Sequence, residues 1–421
     1  MSELDDWFPK AENNLITIRD AFANVPNDGT GNRVGPHTKI HKSMKNVKPG
    51  ENQIDHFSHC RLHPNRPSPT IRKANGLAHY HVWHPVEHRV IMLSECKRIA
   101  SFPDEFQMTG KIGDAWDRIG NSVPPLFMYS IARNIKSMLQ TGKPHRQEKA
   151  AAKIDYPAHL AAMWEKAIAP RADDAPTVIS TFAGGGGSST GYMMAGFREL
   201  LAVEWDDNAV QTLRLNYPHL DIYHGDIAKL SVEEVLRRTG LQPGELDVFD
   251  GSPPCQGFST AGKRDFDDDR NQLFREYVRL LRGLQPKVFV MENVSGMVKG
   301  KMKLIFVEIL KELKASGYKV SARLLNAMYF HVPQSRERMI FIGVRNDLGV
   351  EPSHPKAESR PIGLIDAIRG LPSDWSGDIR RYAIGAEWAK LKIGEKSTKY
   401  LSLVKPKLNN PCPTLTKGAG E

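Results

Sequence analysis

Thr177-Val178-Ile179-Ser180-Thr181-Phe182-Ala183-Gly184-Gly185-Gly186-Gly187-Ser188-Ser189-Thr190-Gly191 decides the fold. Its β-branched start reads as a buried strand, and the glycines turn the chain out of that strand into a helix. A second apolar run, Leu200-Leu201-Ala202-Val203, ends in the acid Glu204. A glycine turn opening a helix offers backbone N–H groups to a ligand, and an acid ending the next strand is placed for ribose hydroxyls. The glycines depart from the Gly-x-Gly-x-x-Gly spacing used for a pyrophosphate, and no basic residue adjoins them in sequence. Both points favour a nucleoside-like cofactor without phosphate.

Further strands are expected at 222–223, 246–250, 288–291, 318–325 and 339–344, with helices at 279–284 and 304–316. This alternation predicts an α/β fold with a doubly wound, largely parallel sheet. Upstream, 87–100 reads as a helix halted by Pro103. Ile119-Gly120-Asn121-Ser122-Val123-Pro124-Pro125 reads as a tight loop opening a helix over 126–139. The polar, alanine-rich stretch 141–175 reads as a linker, helical near 159–167. The expected organisation is a recognition segment over 1–76, a cofactor-closing segment over 77–140, the catalytic core over 176–350, and a second recognition segment over 351–421.

The net charge of +10 is unevenly placed: +6 over 1–150, zero over 151–350 and +4 over 351–421. A neutral centre with basic flanks suits an enzyme core that grips a polyanion through its outer parts. Lys390, Lys392, Lys396, Lys399, Lys405 and Lys407 are candidate phosphate contacts. Four cysteines without metal-ligand or paired spacing, and an acidic start without a signal pattern, predict a reducing, cytoplasmic setting with no membrane span. One cysteine among scattered histidines (His56, His59, Cys60, His63) is too weak a signal for a metal.

The candidate chemistry centres on Gly251-Ser252-Pro253-Pro254-Cys255-Gln256-Gly257-Phe258-Ser259. Prolines and glycines force an irregular loop that holds Cys255 off a strand end. Glu292 closes another strand, and Gln334-Ser335-Arg336-Glu337-Arg338 precedes a third. A thiol, a carboxylate and a guanidinium suit addition to an electron-poor ring, with the acid managing a ring nitrogen and the arginine an exocyclic oxygen.

The two ends repeat each other. Residues 15–26 match 361–372 in pattern, Val47-Lys48-Pro49-Gly50-Glu51 parallels Leu391-Lys392-Ile393-Gly394-Glu395, and Asn65-Arg66-Pro67-Ser68-Pro69-Thr70-Ile71 parallels Asn409-Asn410-Pro411-Cys412-Pro413-Thr414-Leu415. Such an overlap is what a duplicated gene leaves when trimmed to about one unit with new termini. Circular permutation is the expectation, with two fused incomplete enzymes as the competing idea. Permutation requires Asn121 to lie beside the Gly184–Gly187 loop.

Taken together, Phe182-Ala183-Gly184, Glu204-Trp205, Gly225-Asp226-Ile227, Pro253-Pro254-Cys255-Gln256, Glu292-Asn293-Val294 and Gln334-Ser335-Arg336-Glu337-Arg338 resemble the ordered motifs of the DNA (cytosine-5)-methyltransferases. Residues 66–71 and 120–125 resemble that family's last two motifs, standing ahead of the first. Ser180 and Thr181 depart from the acid and leucine usual there. The resemblance implies a Rossmann-like S-adenosylmethionine-dependent methyltransferase sheet with a small, irregular, β-rich recognition domain. It implies S-adenosyl-L-methionine held by Phe182, Gly184, Gly186, Glu204, Trp205, Asp226, Ile227 and Pro253, with Asn121 and Val123 closing the pocket. It implies Cys255 as nucleophile, Glu292 on ring nitrogen-3, Arg338 and Arg336 as steadying cations, and no metal. The implied partner is duplex DNA, in a monomer of restriction–modification type with a cognate restriction endonuclease. An RNA (tRNA) cytosine-5 methyltransferase and a catalytically silent DNA-binding relative are the alternatives, with a nicotinamide oxidoreductase further off.

Overall fold

The structure, a computed structural model, describes residues 15–32, 34, 37–53, 59–71, 81–145, 154–254, 272–298, 303–358, 390–392 and 395. Ahead of the main sheet come α1 (Ile18–Ala21), α2 (Lys39–Met44), β1 (Cys60–Arg61), β2 (Val82–Trp83), α3 (Leu93–Ile99), α4 (Ile112–Asn121), α5 (Pro125–Thr141) and α6 (Tyr156–Ile168). Then β3 (Thr177–Thr181), α7 (Gly187–Met194), β4 (Arg198–Glu204), α8 (Asp207–Asn216), β5 (Ile222–His224), α9 (Val232–Thr239) and β6 (Val248–Gly251) alternate. The series closes with α10 (Gln272–Leu284), β7 (Val288–Val294), α11 (Lys303–Ala315), β8 (Tyr318–Asn326) and β9 (Glu337–Arg345).

Among the described residues seven strands form one sheet in the order β5-β4-β3-β6-β7-β9-β8. β3 through β7 are parallel, while β9 runs antiparallel between β7 and β8. The chain winds one way from β3 to β5 and the other way from β6 onward. A crevice therefore opens at the carboxyl ends of β3, β4, β6 and β7, where such sheets bind ligands. All five residues of β3 are buried, as expected for a central parallel strand. The expected α/β doubly wound sheet is the sheet observed, and its antiparallel β9 and β8 are the part the alternation rule did not anticipate.

The segment ahead of the sheet is part of the same core. Phe127, Ile131 and Ile135 of α5 pack in one cluster with Tyr192 and Phe197. α5 approaches α7 so closely that a Cβ on Gly191 would lie 2.6 Å from Met128 Cβ and from Pro125 O, and one on Gly187 would collide with Val123 O. Only glycine permits that approach. The stretch expected as a linker carries α6, which buries Tyr156, Leu160 and Met163.

Two element boundaries differ from the sequence reading. The helix expected from residue 87 begins at Leu93, because Ile91 N–H donates to Val82 O and His84 N–H to Arg89 O, fixing residues 84–91 as a loop. Glu95 then caps the helix start by accepting from Met92 N–H at 2.6 Å. Residues 119–121, expected in a loop, form the last turn of α4, and the loop proper begins at Ser122.

Glu199 on β4 introduces a pH dependence into this core. Its Oε1 accepts from Ser189 Oγ at 2.8 Å, and burial raises its pKa from 4.5 to about 7. A carboxyl whose folded pKa exceeds its unfolded one costs stability as pH rises from about 4.5 through about 7, in total about 3 kcal/mol. Glu199→Gln is expected to remove that decline, so urea midpoints at pH 5 and pH 8 should converge. Midpoints as far apart as in the parent would place the ionising group elsewhere.

Candidate active site

The turn after β3 is built from left-handed backbone. Phe182 and Gly184 have φ of 55° and Gly186 has φ of 86°. For Phe182 this conformation costs on the order of 1 kcal/mol. Glu204 holds the turn in place. Its Oε2 accepts from Gly184 N–H at 2.7 Å, and its Oε1 accepts from Trp205 and Asp206 N–H, both at 2.9 Å. One carboxylate thus joins the glycine turn to the end of β4.

Above the turn lies a cavity of about 790 Å³, within the range of small-molecule sites. Phe182, Gly184, Glu204, Trp205, Asp226 and Ile227 line one side. Asn121, Val123, Pro253, Glu292 and Arg338 line the other. The fold therefore collects around one cavity almost every candidate the sequence singled out, from seven separate stretches. An adjoining cavity of about 510 Å³ lies between Thr70, Ser295 and Ser335, and shares Asn121 and Arg338 with the first. Cys255 lies outside the described residues, as does Cys412; the described chain reaches the cavity wall at Pro254.

Glu292 and Arg338 form a nearly buried ion pair. Arg338 Nε lies 2.6 Å from Glu292 Oε1, with side chains 13% and 9% exposed. Ile340 is the register partner of Glu292, and Val294 that of Arg338. The pair is thus a diagonal contact on one face of β7 and β9.

Two candidates take other places. Gly186 is absent from the cavity wall: it caps α7, and a Cβ there would meet Leu213 Cδ2 at 2.9 Å. Gly185 and Gly187 line the cavity beside Gly184 instead. Arg336 is 1% exposed and donates to two main-chain carbonyls, Ile71 O at 3.0 Å and Gly120 O at 2.8 Å. It ties residues 71 and 120 to β9 and does not face the large cavity. Burial, with Arg338 nearby, lowers its pKa to about 9, so it remains a cation at neutral pH. Arg336→Lys keeps the charge but loses the fork that reaches both carbonyls. It is expected to lower unfolding free energy by about 3 kcal/mol in urea titrations. An unchanged midpoint would remove Arg336 from the clamp.

The sequence placed no basic residue near the glycine turn, yet Arg118 packs its stem 3.4 Å from where a Gly185 Cβ would lie. It comes from α4, far away in sequence, and its Nη2 is committed to Thr109 O. Asn293, quoted in the sequence but given no role, donates from Nδ2 to Pro253 O at 3.1 Å and so fixes the base of the loop that leads to Cys255.

The wall chemistry discriminates among cofactors. Among the described residues, six carboxylates (Asp114, Asp117, Glu204, Asp206, Asp226 and Glu292) line it against two guanidiniums, those of Arg118 and Arg338. That balance repels phosphate and favours a ligand carrying positive charge. Trp205 is 78% exposed beside the cavity, an apolar ring offered for stacking. A nucleoside bearing a sulfonium and an ammonium, which is S-adenosylmethionine, fits these residues. Among the described residues no group of His, Cys, Asp and Glu is placed to hold a metal ion, and no helix is long and apolar enough to cross a membrane.

Fold and wall together define an S-adenosylmethionine-dependent methyltransferase architecture. Residues 9–137 and 176–399 match the model of the C-5 cytosine-specific DNA methylases, and the chain belongs to that family. The chain is 43% identical over 221 residues to the type II methyltransferase M.AquIA of Picosynechococcus sp., covering 46% of this chain and 88% of that one. It is 35% identical over 243 residues to the type II methyltransferase M.XorII of Xanthomonas oryzae pv. oryzae, covering 56% and 55%. The chain thus spans about half the length of M.XorII. Among solved structures it resembles a DNA modification methyltransferase encoded within an E. coli prophage, at 28% identity and a TM-score of 0.39, covering 57% of this chain and 82% of that one. The family's cofactor is S-adenosylmethionine.

Proposed function

We propose that the chain methylates carbon-5 of a cytosine turned out of duplex DNA, through a transient bond from Cys255 to carbon-6. The observation that carries this reading is the Glu292–Arg338 pair standing where the two cavities meet. One cavity has the charge and the exposed ring suited to the cofactor, and the other is left for a base. Flipping is required because ring carbons are inaccessible in a stacked duplex.

In this reading Glu204 would hold ribose hydroxyls, Phe182 and the glycine turn would support the nucleoside, and Trp205 and Ile227 would flank its base. Asp226 already accepts from Ala228 N–H through Oδ1. Its other oxygen would serve the adenine amino group. Asn121, Val123 and Pro253 would close the pocket. Bound S-adenosylmethionine supplies an electrophilic methyl group. Cys255 adds to carbon-6 and makes carbon-5 nucleophilic. Glu292 holds a proton at nitrogen-3, and Arg338 steadies both Glu292 and the exocyclic oxygen. A base then removes the carbon-5 proton and the thiolate leaves.

The reading extends to the chain's organisation. Ser122 and Val123 pack on Gly187, the placement a circularly permuted chain requires, which supports a catalytic domain assembled from 77–140 and 176–350. Recognition of DNA would then fall to 1–76 and 351–421, in a monomer of restriction–modification type with a cognate endonuclease, in the cytoplasm. Most of 359–421 lies outside the described residues. Incubation with duplex DNA and labelled S-adenosylmethionine, followed by mapping of the modified base, tests the reading. 5-Methylcytosine at a defined duplex sequence is expected. Label in tRNA alone would favour the RNA reading, and no label in either would favour a silent relative.

A further inference from the structure

The two guanidiniums on the large cavity are employed differently. Arg338 is paired with Glu292 at 2.6 Å. Arg118, on the last turn of α4, donates from Nη2 to a neutral group, Thr109 O. Its Nε is buried with no hydrogen-bond partner among the described residues. The residue is 8% exposed, yet it lines the cavity. A guanidinium carries five N–H donors, and a buried donor left unmet is costly unless a ligand oxygen takes it up.

A second observation puts positive potential at the same corner. The Arg118 stem lies 3.4 Å from where a Gly185 Cβ would stand, and Gly185, Gly187 and Ser188 line the cavity there. α7 begins at Gly187, and the N–H groups of a first helical turn lack intrahelical partners and carry the positive end of the helix dipole. The corner therefore suits an anion, on a wall that is otherwise acidic.

A simple anion would also meet the field of Asp206, Asp114 and Asp117, which act on Arg118 electrostatically. A zwitterion answers both signs, because it brings an ammonium for those acids beside its carboxylate. The amino-acid end of S-adenosylmethionine is such a group.

We propose that Arg118 binds the α-carboxylate of S-adenosylmethionine and selects for a cofactor with an intact amino-acid end. The inference rests on the cavity being the cofactor's. The bond to Thr109 O holds one end of the guanidinium and leaves Nε and Nη1 for the carboxylate. Thr109 is itself fixed to α8, since its Oγ1 donates to Asn208 O at 2.8 Å and its N–H to Thr212 Oγ1 at 3.3 Å. The cation is thus braced from the helix that follows Glu204 and is set before the ligand arrives.

Calorimetry on the full chain with two ligands tests this. One is S-adenosylmethionine, and the other is its decarboxylated analogue, which keeps the sulfonium and the ammonium. The parent is expected to bind S-adenosylmethionine about 30-fold or more tightly than the analogue. In Arg118→Met, which keeps an apolar stem over Gly185, that preference should fall to about threefold or less. The analogue should bind the variant as well as it binds the parent, or better, because a like charge has been removed. Unchanged binding of the analogue also shows that the variant's pocket is intact. Arg118→Lys should regain part of the preference, having charge without the fork. Equal weakening of both ligands would reduce Arg118 to a structural brace on Thr109, and a preference kept in Arg118→Met would assign the carboxylate to other donors. Either result overturns the proposal. A parent that binds neither ligand would overturn the cofactor reading itself, and this inference with it.

Discussion

Cys255→Ser is expected to cut methyl transfer at least about 10⁴-fold while leaving affinity for S-adenosylmethionine within about twofold. The separation follows from the architecture. The wall proposed for the cofactor is contributed by the turn after β3 and the ends of β4 and β5, together with Asn121 and Val123. Cys255 belongs to none of these stretches; it follows Pro253 and Pro254 in sequence, and Pro253 O accepts from Asn293 Nδ2. A hydroxyl has almost none of the anionic character that a thiol reaches near neutral pH, so addition to the ring fails while the pocket stays whole. Calorimetry with S-adenosylmethionine beside labelled methyl transfer measures both halves. A serine variant that kept more than about one per cent of the rate would take the thiol out of the mechanism.

Arg338→Ala is expected to lower kcat about 10²–10³-fold, with a smaller effect on cofactor binding. Glu292 is 9% exposed and its Oε1 has Arg338 at 2.6 Å. Removing the guanidinium leaves a nearly buried carboxylate without its counter-charge, which is among the costliest changes a site can suffer. The carboxylate then loses the partner that orients it, which in the proposed mechanism spoils its alignment on the base. Arg338→Lys should recover part of the loss, since it restores charge without the planar fork. Steady-state kinetics on the three proteins would decide. Equal rates for Arg338→Lys and Arg338→Ala would mean that geometry, not charge, is what the residue supplies.

The contrast with Arg336 shows where sequence reading stops. Both arginines belong to one motif that the sequence places ahead of a strand, and alternation alone puts them on the same face of the chain. Yet β9 begins at Glu337 and takes in Arg338 alone of the two. The sheet separates them by giving Arg336 two carbonyls, Ile71 O and Gly120 O, that come from more than 200 residues earlier. No local pattern announces such a partner. Arg118 was invisible beside the glycine turn for the same reason, because α4 brings it there from a distant part of the chain.

Strand-end acids were legible, by contrast, because a strand's direction fixes where its last side chain lies. Glu204, Asp226 and Glu292 all reach one cavity from runs readable by composition alone. Among the glycines, the sequence marked the turn but not the division of labour within it. Gly184 faces open space, while Gly186 meets Leu213, and only tertiary packing makes that difference. The antiparallel pairing of β9 with β7 and β8 was likewise set by long-range contacts, whereas the parallel half followed from the strand–helix alternation.

In the proposed mechanism a cysteine bonds covalently to the cytosine ring while the cofactor is present. Duplex DNA carrying 5-fluorocytosine at the mapped position blocks proton loss from carbon-5 and should therefore trap that bond. With S-adenosylmethionine present, a complex stable to denaturing gel electrophoresis is expected, its attachment mapping to Cys255 and disappearing in Cys255→Ser. Efficient methylation of ordinary DNA without any such trapped complex, or a complex attached elsewhere, would contradict the account.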